Sequence, residues 1–264
     1  MPDFLQKIVA HKQLEIAESA ARIPLSALQP VAEARRDYRG LEAALTAPHR
    51  VHVIAEIKRA SPSKGNIQLD LDPAALARAY EAGGASALSV LTERAFFKGT
   101  PEDLMAARSA TRLPVLRKDF ILDPYQVYES AAMGADAILL IVRILTDDEL
   151  RSLYRLARQL GLDVLVEIHN EVEALRVNQL GARLIGINNR DLAHFDTDQE
   201  RARRVATSLN PDTLVVAASG IEGIADIHNT VAAGVTRFLI GEALVRAPDA
   251  TAFLRTLIAS GGNP

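Results

Sequence analysis

The chain has 264 residues, of which 48% are hydrophobic and 24% charged, with 15 glycines and 12 prolines. This balance is typical of a globular protein and excludes a disordered, collagen-like or disulfide-stapled chain. Thirty basic side chains against 33 acidic ones leave a formal net charge of −3, which argues against nucleic acid or an anionic membrane as a partner.

The sequence contains no cysteine. A disulfide framework, a thiolate nucleophile and a cysteine-ligated metal site are therefore excluded, and a reducing cytoplasm is compatible with the chain. The first residues are too polar for a signal peptide, and no apolar run approaches the roughly 18 residues of a membrane span. We therefore expect a cytoplasmic protein.

The first 48 residues are predicted to be helical. In residues 5–16, apolar side chains recur at helical spacing, which predicts an extra helical segment packed on one mouth of the domain that follows.

One pattern recurs through the rest of the chain: a helix end of small residues, a glycine, and then a run of β-forming residues. Glycine suits the left-handed conformation that closes a helix. The runs are almost continuously apolar, as expected in a parallel sheet that is covered on both faces. Eight strands are predicted, beginning near residues 51, 87, 114, 137, 163, 184, 214 and 237.

The segments between the strands begin with helix-start patterns. Asp72-Pro73 and Thr100-Pro101 each place a capping residue before a proline, and residues 146–149 read as a capping box. Strand starts about 21 to 36 residues apart match strand, crossover helix and short loops.

Eight such units in a chain of this length predict an α/β fold, a closed (β/α)8 TIM barrel. We expect one domain, 1–264, with an N-terminal helical extension over 1–48 and the barrel over 49–264. The alternative is an open doubly wound sheet, which would usually carry a GxGxxG turn after its first strand, and none is present.

Charged and polar side chains close several of the apolar strands. Glu56 and Lys58 end the first strand and, being two apart, are predicted to share a face at the barrel mouth. The third, fifth, sixth and seventh strands end with Lys118, Glu167, Asn188 and Ser219. Any one of these could be a solvated strand end. Together they predict a ligand site, because unpaired charges in a partly desolvated cup are costly.

Glycines after the seventh and eighth strands predict a phosphate site. Gly220 and Gly241 would let backbone N–H groups approach an anion, and the helix after Gly241 would add a favourable dipole. Barrels often hold phosphate in this position. The loop after the first strand, with Ser61 and Lys64, is equally compatible with a phosphate contact and with an ordinary surface loop.

The six histidines, at positions 11, 49, 52, 169, 194 and 228, form no HxH or HExxH group. No metal site is therefore expected. A Ser-His-Asp arrangement and a Walker loop cannot be assembled either.

Five segments resemble motifs of the indole-3-glycerol phosphate synthase family of tryptophan biosynthesis. In chain order they read EIKRASPS at 56–63, LRKDFI at 116–121, LVEIH at 165–169, IGINNRDL at 185–192 and ASGI at 218–221. The resemblance spans essentially the whole chain, including the helical extension.

The resemblance implies that 1-(2-carboxyphenylamino)-1-deoxyribulose 5-phosphate is converted to indole-3-glycerol phosphate, CO2 and water, without a metal or organic cofactor. Lys118 would be the general acid at the ketone oxygen, and Glu167 the base that removes a proton as the indole aromatises. Lys58 would lie by the substrate carboxylate and share the acid work, oriented by Glu56.

The resemblance also implies a set of substrate-binding residues. Hydroxyl or carboxyl groups would contact Asn188 and Ser219, and Arg190 would brace the site. The phosphate would contact Ser61, Gly220 and Gly241, and the anthranilate ring would face an apolar wall of Phe97, Phe120 and Leu139. Other tryptophan-pathway enzymes are candidate partners.

One position departs from the family pattern. The seventh strand usually ends Glu-Ser-Gly-Ile, whereas this chain has Ala218 in place of the glutamate. The missing carboxylate would have lain near the substrate amine, so the departure is either a neutral substitution or a cause of reduced turnover.

Three other functions are compatible with the same residues. A desolvated lysine can form a Schiff base in a lyase or aldolase. The neighbouring isomerase of the same pathway also binds an anthranilate ribose phosphate, although the Glu56 and Lys58 pair argues against it. A non-catalytic barrel that binds a phosphorylated ligand is the third.

Overall fold

A computed structural model of the chain describes residues 3–46, 51–190 and 201–261. Its centre is a closed barrel of eight parallel strands. They are β1 His52–Ile57, β2 Ala87–Leu91, β3 Val115–Lys118, β4 Ala137–Ile141, β5 Asp163–Ile168, β6 Leu184–Asn188, β7 Leu214–Ala218 and β8 Arg237–Ile240. Each strand pairs with the next, and β8 pairs with β1 with Arg237 opposite His52. The predicted (β/α)8 barrel is confirmed, and every strand begins within one residue of its predicted start.

Three helices precede β1: α1 Asp3–Arg22, α2 Leu25–Ala34 and α3 Leu41–Ala44. The predicted helix is therefore present and longer than its apolar pattern. The boundary predicted at residues 48 and 49 falls in the segment 47–50, outside the described residues, and the single-domain assignment stays a prediction.

The extension contacts both ends of the barrel rather than one mouth. On α1, Lys12 forms an ion pair of 2.8 Å with Asp119, which follows the C-terminal end of β3. Near α3, the Glu42 N–H donates to Asp163 at the start of β5, and Arg237 at the start of β8 donates to the Leu45 carbonyl. The chain thus runs from the C-terminal rim, along helix α6 (Pro124–Ala132) of the barrel wall, to the N-terminal mouth.

Helices cover the outside of the barrel. They are α4 Pro73–Gly83, α5 Pro101–Ala110, α6 Pro124–Ala132, α7 Asp147–Leu160, α8 Glu171–Leu180, α9 Arg201–Ala206, α10 Ile224–Ala232, α11 Glu242–Arg246 and α12 Ala250–Ser260, with a 3₁₀ turn at Val142–Ile144. The predicted caps are confirmed: Asp72 accepts from the Ala74 and Ala75 N–H groups, and Thr100 and Thr146 each complete a capping box. Because every strand of the closed barrel runs parallel to its neighbours, the C-terminal strand ends lie at one common rim.

A short hairpin after β1 was not predicted. Ala60–Ser61 pairs antiparallel with Gly65–Asn66, and residues 62–64 form its tip. Gly65 adopts φ = 65° there, a left-handed conformation that glycine takes without a steric penalty. The loop with Ser61 and Lys64 is therefore an ordered β-hairpin at the C-terminal rim.

Within the described residues, no helix combines the length and apolar character that crossing a membrane requires.

Candidate active site

A cavity of about 500 Å³ opens at the C-terminal ends of the strands. The structure brings every residue predicted for the site to its wall: Glu56, Lys58, Ser61, Phe97, Lys118, Phe120, Leu139, Glu167, Asn188, Arg190, Ala218, Ser219, Gly220 and Gly241. The convergence follows from the topology, because parallel strands in a closed barrel deliver all their C-terminal ends to one rim. The role of each residue stays a prediction.

Lys118 and Glu167 lie close to each other on the cavity wall. The Lys118 Nζ lies 3.8 Å from Glu167 Oε2, although the two residues end β3 and β5. The other carboxylate oxygen, Oε1, accepts a hydrogen bond of 3.1 Å from the side-chain amide of Asn188. In turn, Asn188 Oδ1 accepts from the Arg190 backbone N–H at 3.0 Å, which fixes the amide so that its NH2 points at Glu167. The carboxylate is thus held with a cation within reach of one oxygen.

A second ion pair lies on β1. Lys58 Nζ donates to Glu56 Oε1 at 2.7 Å, as the shared face of these residues predicted. Burial alone would raise the pKa of Glu56, but the positive charges of Lys58 and Lys118 together outweigh it and hold that pKa below its usual value. Glu56 is therefore ionised at neutral pH and anchors Lys58 at the floor of the cavity.

Gly241 closes the cavity floor beside this pair. A Cβ on Gly241 would lie 2.5 Å from Glu56 Oε1 and 3.1 Å from Lys58 Nζ. Both distances are shorter than ordinary contacts, so a glycine is needed for the carboxylate and the ammonium to occupy these positions.

The ends of β6 and β7 and the hairpin tip bring further polar groups to the cavity wall. Ser219 and Gly220 adopt left-handed conformations with φ = 67° and 77°, a strained geometry for serine that is typical of functional sites. Across the opening, Arg190 Nη1 donates to Ser63 Oγ at 2.8 Å and thereby joins the hairpin tip to the end of β6. Lys64 reaches Glu242 at 3.8 Å.

An apolar wall closes one side. The rings of Phe97 and Phe120 lie 6.2 Å apart, centroid to centroid, at an angle of 43°. A residue that sequence reasoning missed holds the first of these rings in place: the fully buried Glu93 accepts hydrogen bonds from the N–H groups of Ala95, Phe96 and Phe97 at 2.7–2.9 Å. An acidic residue just after a buried strand was the available indication.

Sequence reasoning also missed the partners of Asp119. The preceding residue, Lys118, faces the cavity, whereas the Asp119 carboxylate forms ion pairs with Lys12 at 2.8 Å and Arg117 at 3.1 Å. Residues 117 and 119 lie two apart and share the face opposite Lys118. Burial would raise the pKa of Asp119, yet these two cations and hydrogen bonds from Lys12 and Thr92 lower it overall.

Two further residues lie behind Glu167 and were not predicted for the site. His169, one residue past β5, is buried with its Nε2 3.8 Å from Glu167 Oε1, and its Nδ1 lies 3.3 Å from Glu173 Oε2. From the sequence alone, His169 is considered only as a possible metal ligand. Within 3–46, 51–190 and 201–261, no three side chains of the ligating types come together in a way that could hold a metal ion, and His49 and His194 lie outside the described residues.

Comparison with known proteins places the chain among close relatives. Residues 5–257 match the family model described as indole-3-glycerol phosphate synthase. The indole-3-glycerol phosphate synthase of Desulfosudis oleivorans is 53% identical over 261 residues, which cover 98% of this chain and 99% of the relative. That of Albidiferax ferrireducens is 48% identical over 263 residues, covering 98% and 100%.

Among solved structures, the chain is similar to a thiamine phosphate pyrophosphorylase from Pyrococcus furiosus. The TM-score is 0.62 and the sequence identity 18%, covering 81% of this chain and 96% of that one. At such identity the likeness concerns the barrel alone.

Proposed function

The chain belongs to the indole-3-glycerol phosphate synthase family, and we propose that Lys118 and Glu167 are the general acid and the general base of its ring closure. The protein is an enzyme, a carboxy-lyase of tryptophan biosynthesis that acts on a phosphorylated small molecule. The substrate is 1-(2-carboxyphenylamino)-1-deoxyribulose 5-phosphate, and the products are indole-3-glycerol phosphate, CO2 and water.

The observation that carries the assignment of roles is the contact between Lys118 and Glu167. An ammonium and a carboxylate 3.8 Å apart, on the wall of one cavity, can act on two neighbouring atoms of a single substrate. Lys118 donates a proton to the ketone oxygen as the ring closes, which leaves a hydroxyl group. After it has regained a proton from solvent, Lys118 donates a second proton to this hydroxyl, which leaves as water. Glu167 removes the proton that the ring must lose to become aromatic.

The ion pair on β1 supports the same chemistry. Glu56 orients Lys58, whose ammonium meets the substrate carboxylate and shares the acid work until CO2 is lost. Because Lys58 is balanced by Glu56 at 2.7 Å, it can lie close to Lys118 without leaving two unpaired cations in the cavity.

Substrate orientation comes from groups remote from the reacting carbons. The phosphate lies against Ser61, Gly220 and Gly241, and the anthranilate ring against Phe97, Phe120 and Leu139. Asn188 and Ser219 contact hydroxyl or carboxyl groups between them, and Arg190 holds the hairpin in position through Ser63. Such remote binding energy can be used to align the reacting atoms.

The decisive experiment is an assay of indole fluorescence after the substrate is added to the wild type, to Lys118→Ala and to Glu167→Gln. We expect rapid formation of the indole product by the wild type, and a fall in kcat of about 10²–10⁴ in each variant, the usual contribution of a positioned acid or base. The matched controls are Lys7→Ala and Glu102→Gln, which remove exposed side chains of the same types.

The outcomes separate the competing functions. Product formed at the wild-type rate by either variant contradicts its assigned role. Substrate that binds to the wild type without conversion indicates a barrel that only binds the ligand. An adduct trapped by borohydride on a lysine indicates Schiff-base chemistry instead.

A cytoplasmic location, the absence of a cofactor from the reaction and association with other tryptophan-pathway enzymes stay predictions from the sequence.

A further inference from the structure

The imidazole of His169 lies directly behind the carboxylate of Glu167. Its side chain is 1% exposed, and its Nε2 has no hydrogen-bond partner among the described residues. Glu167 Oε1 lies 3.8 Å from it, too far for a hydrogen bond. A buried polar atom without a partner is costly, so this arrangement needs a reason.

The protonation of the ring follows from its other neighbour. Nδ1 lies 3.3 Å from Glu173 Oε2, and a carboxylate can only accept a hydrogen bond. The Glu173 carboxylate also accepts hydrogen bonds from the His169 backbone N–H, the Asn170 side-chain amide and Arg143 Nε, which hold it in place. Burial would raise the pKa of Glu173, but its contacts with His169 and Arg143 lower it overall, so Glu173 stays ionised. In the neutral imidazole, Nδ1 then carries the hydrogen and Nε2 presents a lone pair.

A lone pair on Nε2 and an ionised Glu167 Oε1 are two acceptors that face each other. Two acceptors cannot form a hydrogen bond, which accounts for the 3.8 Å gap. If Glu167 gains a proton on Oε1, the same two atoms become a donor and an acceptor, and a small movement closes the gap.

We propose that His169 is a positioning residue for the base, whose Nε2 accepts a hydrogen bond from Glu167 only after Glu167 has taken the proton from the substrate. One C–H bond breaks, one O–H bond forms on Glu167, and the imidazole stays neutral. This contact exists after proton transfer and not before, so it lowers the barrier instead of merely tightening substrate binding. The proposal rests on the role of Glu167 as the base.

The other groups around this carboxylate differ from His169 in this respect. Asn188 donates to Oε1 and the Lys118 ammonium lies near Oε2, and both contacts are already present before proton transfer. The charged and titratable groups that face His169 directly are Glu167 on β5 and Glu173 on α8, with Arg143 of the 3₁₀ turn beyond Glu173. Loss of the imidazole should therefore affect the proton-transfer step and leave substrate binding unchanged.

Two substitutions test the roles of the two ring nitrogens separately. His169→Asn keeps an amide donor near the position of Nδ1, toward Glu173, and does not reach Glu167. His169→Gln places an amide near the position of Nε2. We expect about a tenfold fall in kcat in His169→Asn, the contribution of one hydrogen bond, with KM unchanged. His169→Gln should recover part of this loss, because its amide oxygen can accept from Glu167.

The split between kcat and KM and the partial recovery in His169→Gln distinguish this role from simple packing, because a packing defect would not be repaired by an acceptor near the position of Nε2. The matched control is His52→Asn, because His52 is also buried but lies at the start of β1, at the opposite mouth. It should leave kcat and KM unchanged.

A measurement on the wild-type protein tests the tautomer without any assay. The ¹⁵N shifts of labelled histidine, with His169 identified by its loss in His169→Asn or by its change in Glu173→Gln, should show hydrogen on Nδ1 and none on Nε2 at neutral pH. An imidazolium or an Nε2–H tautomer would overturn the proposal, as would a His169→Asn enzyme with wild-type kcat. An inactive wild type or a fully active Glu167→Gln enzyme would instead contradict the proposed function.

Discussion

Ala218 is the residue at which the cavity departs from the family pattern. It is 4% exposed, lines the cavity, and lies on β7 between Asn188 of β6 and Leu239 of β8. A glutamate here would add a carboxylate to the cavity wall and, with the substrate bound as proposed, would lie near its amine. We expect Ala218→Glu to raise kcat/KM about tenfold, because a charge aimed at the reacting groups changes rates by at least this much.

The control for this substitution is Ala218→Gln, which has nearly the same size and no charge. A gain in both variants would be an effect of volume. Equal kcat/KM in the wild type and Ala218→Glu, measured by indole fluorescence, would mean that the alanine is a neutral substitution.

Gly241 offers a test of the ion pair on β1. A Cβ at this position would approach Glu56 Oε1 to 2.5 Å, so Gly241→Ala must displace the carboxylate that holds Lys58. We expect KM to rise and kcat to fall, each severalfold, because a displacement of about 1 Å can cost up to 10²-fold in rate. The kinetic constants should be compared with those of Gly223→Ala, since a Cβ on Gly223 meets nothing within 4 Å. Equal effects of the two substitutions would contradict the steric argument.

At the scale of residues, the sequence predicted the site residues that can be recognised as charged side chains at the end of an apolar strand. Glu56, Lys58, Lys118 and Glu167 each close an apolar run, and the barrel topology turns these separate ends into one rim. His169 and Glu93 could not be assigned in this way, because their importance depends on the atoms that face them. Residues 167 and 169 lie two apart and therefore share a face, but this spacing does not indicate the tautomer that Glu173 selects.

At the scale of elements, α1 is attached to the barrel rim by a buried ion pair. Lys12 is 2% exposed and pairs with Asp119 and Glu15, each at 2.8 Å. Leu5, Ile8 and Lys12 are spaced i, i+3 and i+7 and therefore share a helix face. The same helical pattern that predicted α1 thus also placed a lysine on its buried side. The sequence did not indicate the partner, because Asp119 lies more than a hundred residues away in the chain.

We expect Lys12→Met to lower the free energy of unfolding by about 2–3 kcal/mol. Removing one partner of a buried ion pair leaves the other without it, and Asp119 would keep Arg117 as its cation, with hydrogen bonds from Thr92 and the Phe120 N–H. Urea denaturation followed by circular dichroism measures the change, and Lys7→Met, on an exposed face of α1, is the control. A loss no larger than in the control would mean that the pair contributes nothing beyond packing.

The short elements show where sequence patterns end. A glycine after the preceding helix, followed by an apolar run, predicted five of the eight strands, and apolar runs of similar length predicted the other three, because these features are local. The hairpin after β1 has only two residues in each strand, too few for a period-2 pattern to be recognised. Its position at the rim depends on the contact between Arg190 and Ser63, which joins residues 127 positions apart.

At the scale of the whole molecule, the barrel holds ionised carboxylates in its interior. Glu56, Asp119 and Glu173 are all buried, and burial would raise the pKa of each. In every case neighbouring cations and hydrogen bonds outweigh burial, so each pKa is lower in the folded chain than in the unfolded chain. Such groups stabilise the fold above their unfolded pKa of about 4, and this stabilisation is lost as the pH falls through the folded values.

The pKa of Lys12 shifts in the opposite direction to those of the carboxyl groups. Burial would lower its pKa, but Asp119 and Glu15 raise it overall. Its contribution is therefore fully present below the unfolded pKa of about 10.4 and is lost only as the pH rises above that value. Between these limits, the buried charges add no pH dependence of their own to the stability.

We therefore expect the free energy of unfolding to be nearly flat, as far as these groups determine it, between about pH 6 and pH 9 and to fall below about pH 4. Asp119→Asn should be less stable than the wild type at neutral pH, because Lys12 and Arg117 lose their shared charge partner. It should lose less stability than the wild type between pH 6 and pH 3, since one depressed carboxyl no longer titrates. Urea titrations at each pH, with the exposed Glu102→Gln as a control, measure both effects. Parallel curves for the wild type and Asp119→Asn below pH 4 would mean that Asp119 does not hold its charge in the folded barrel.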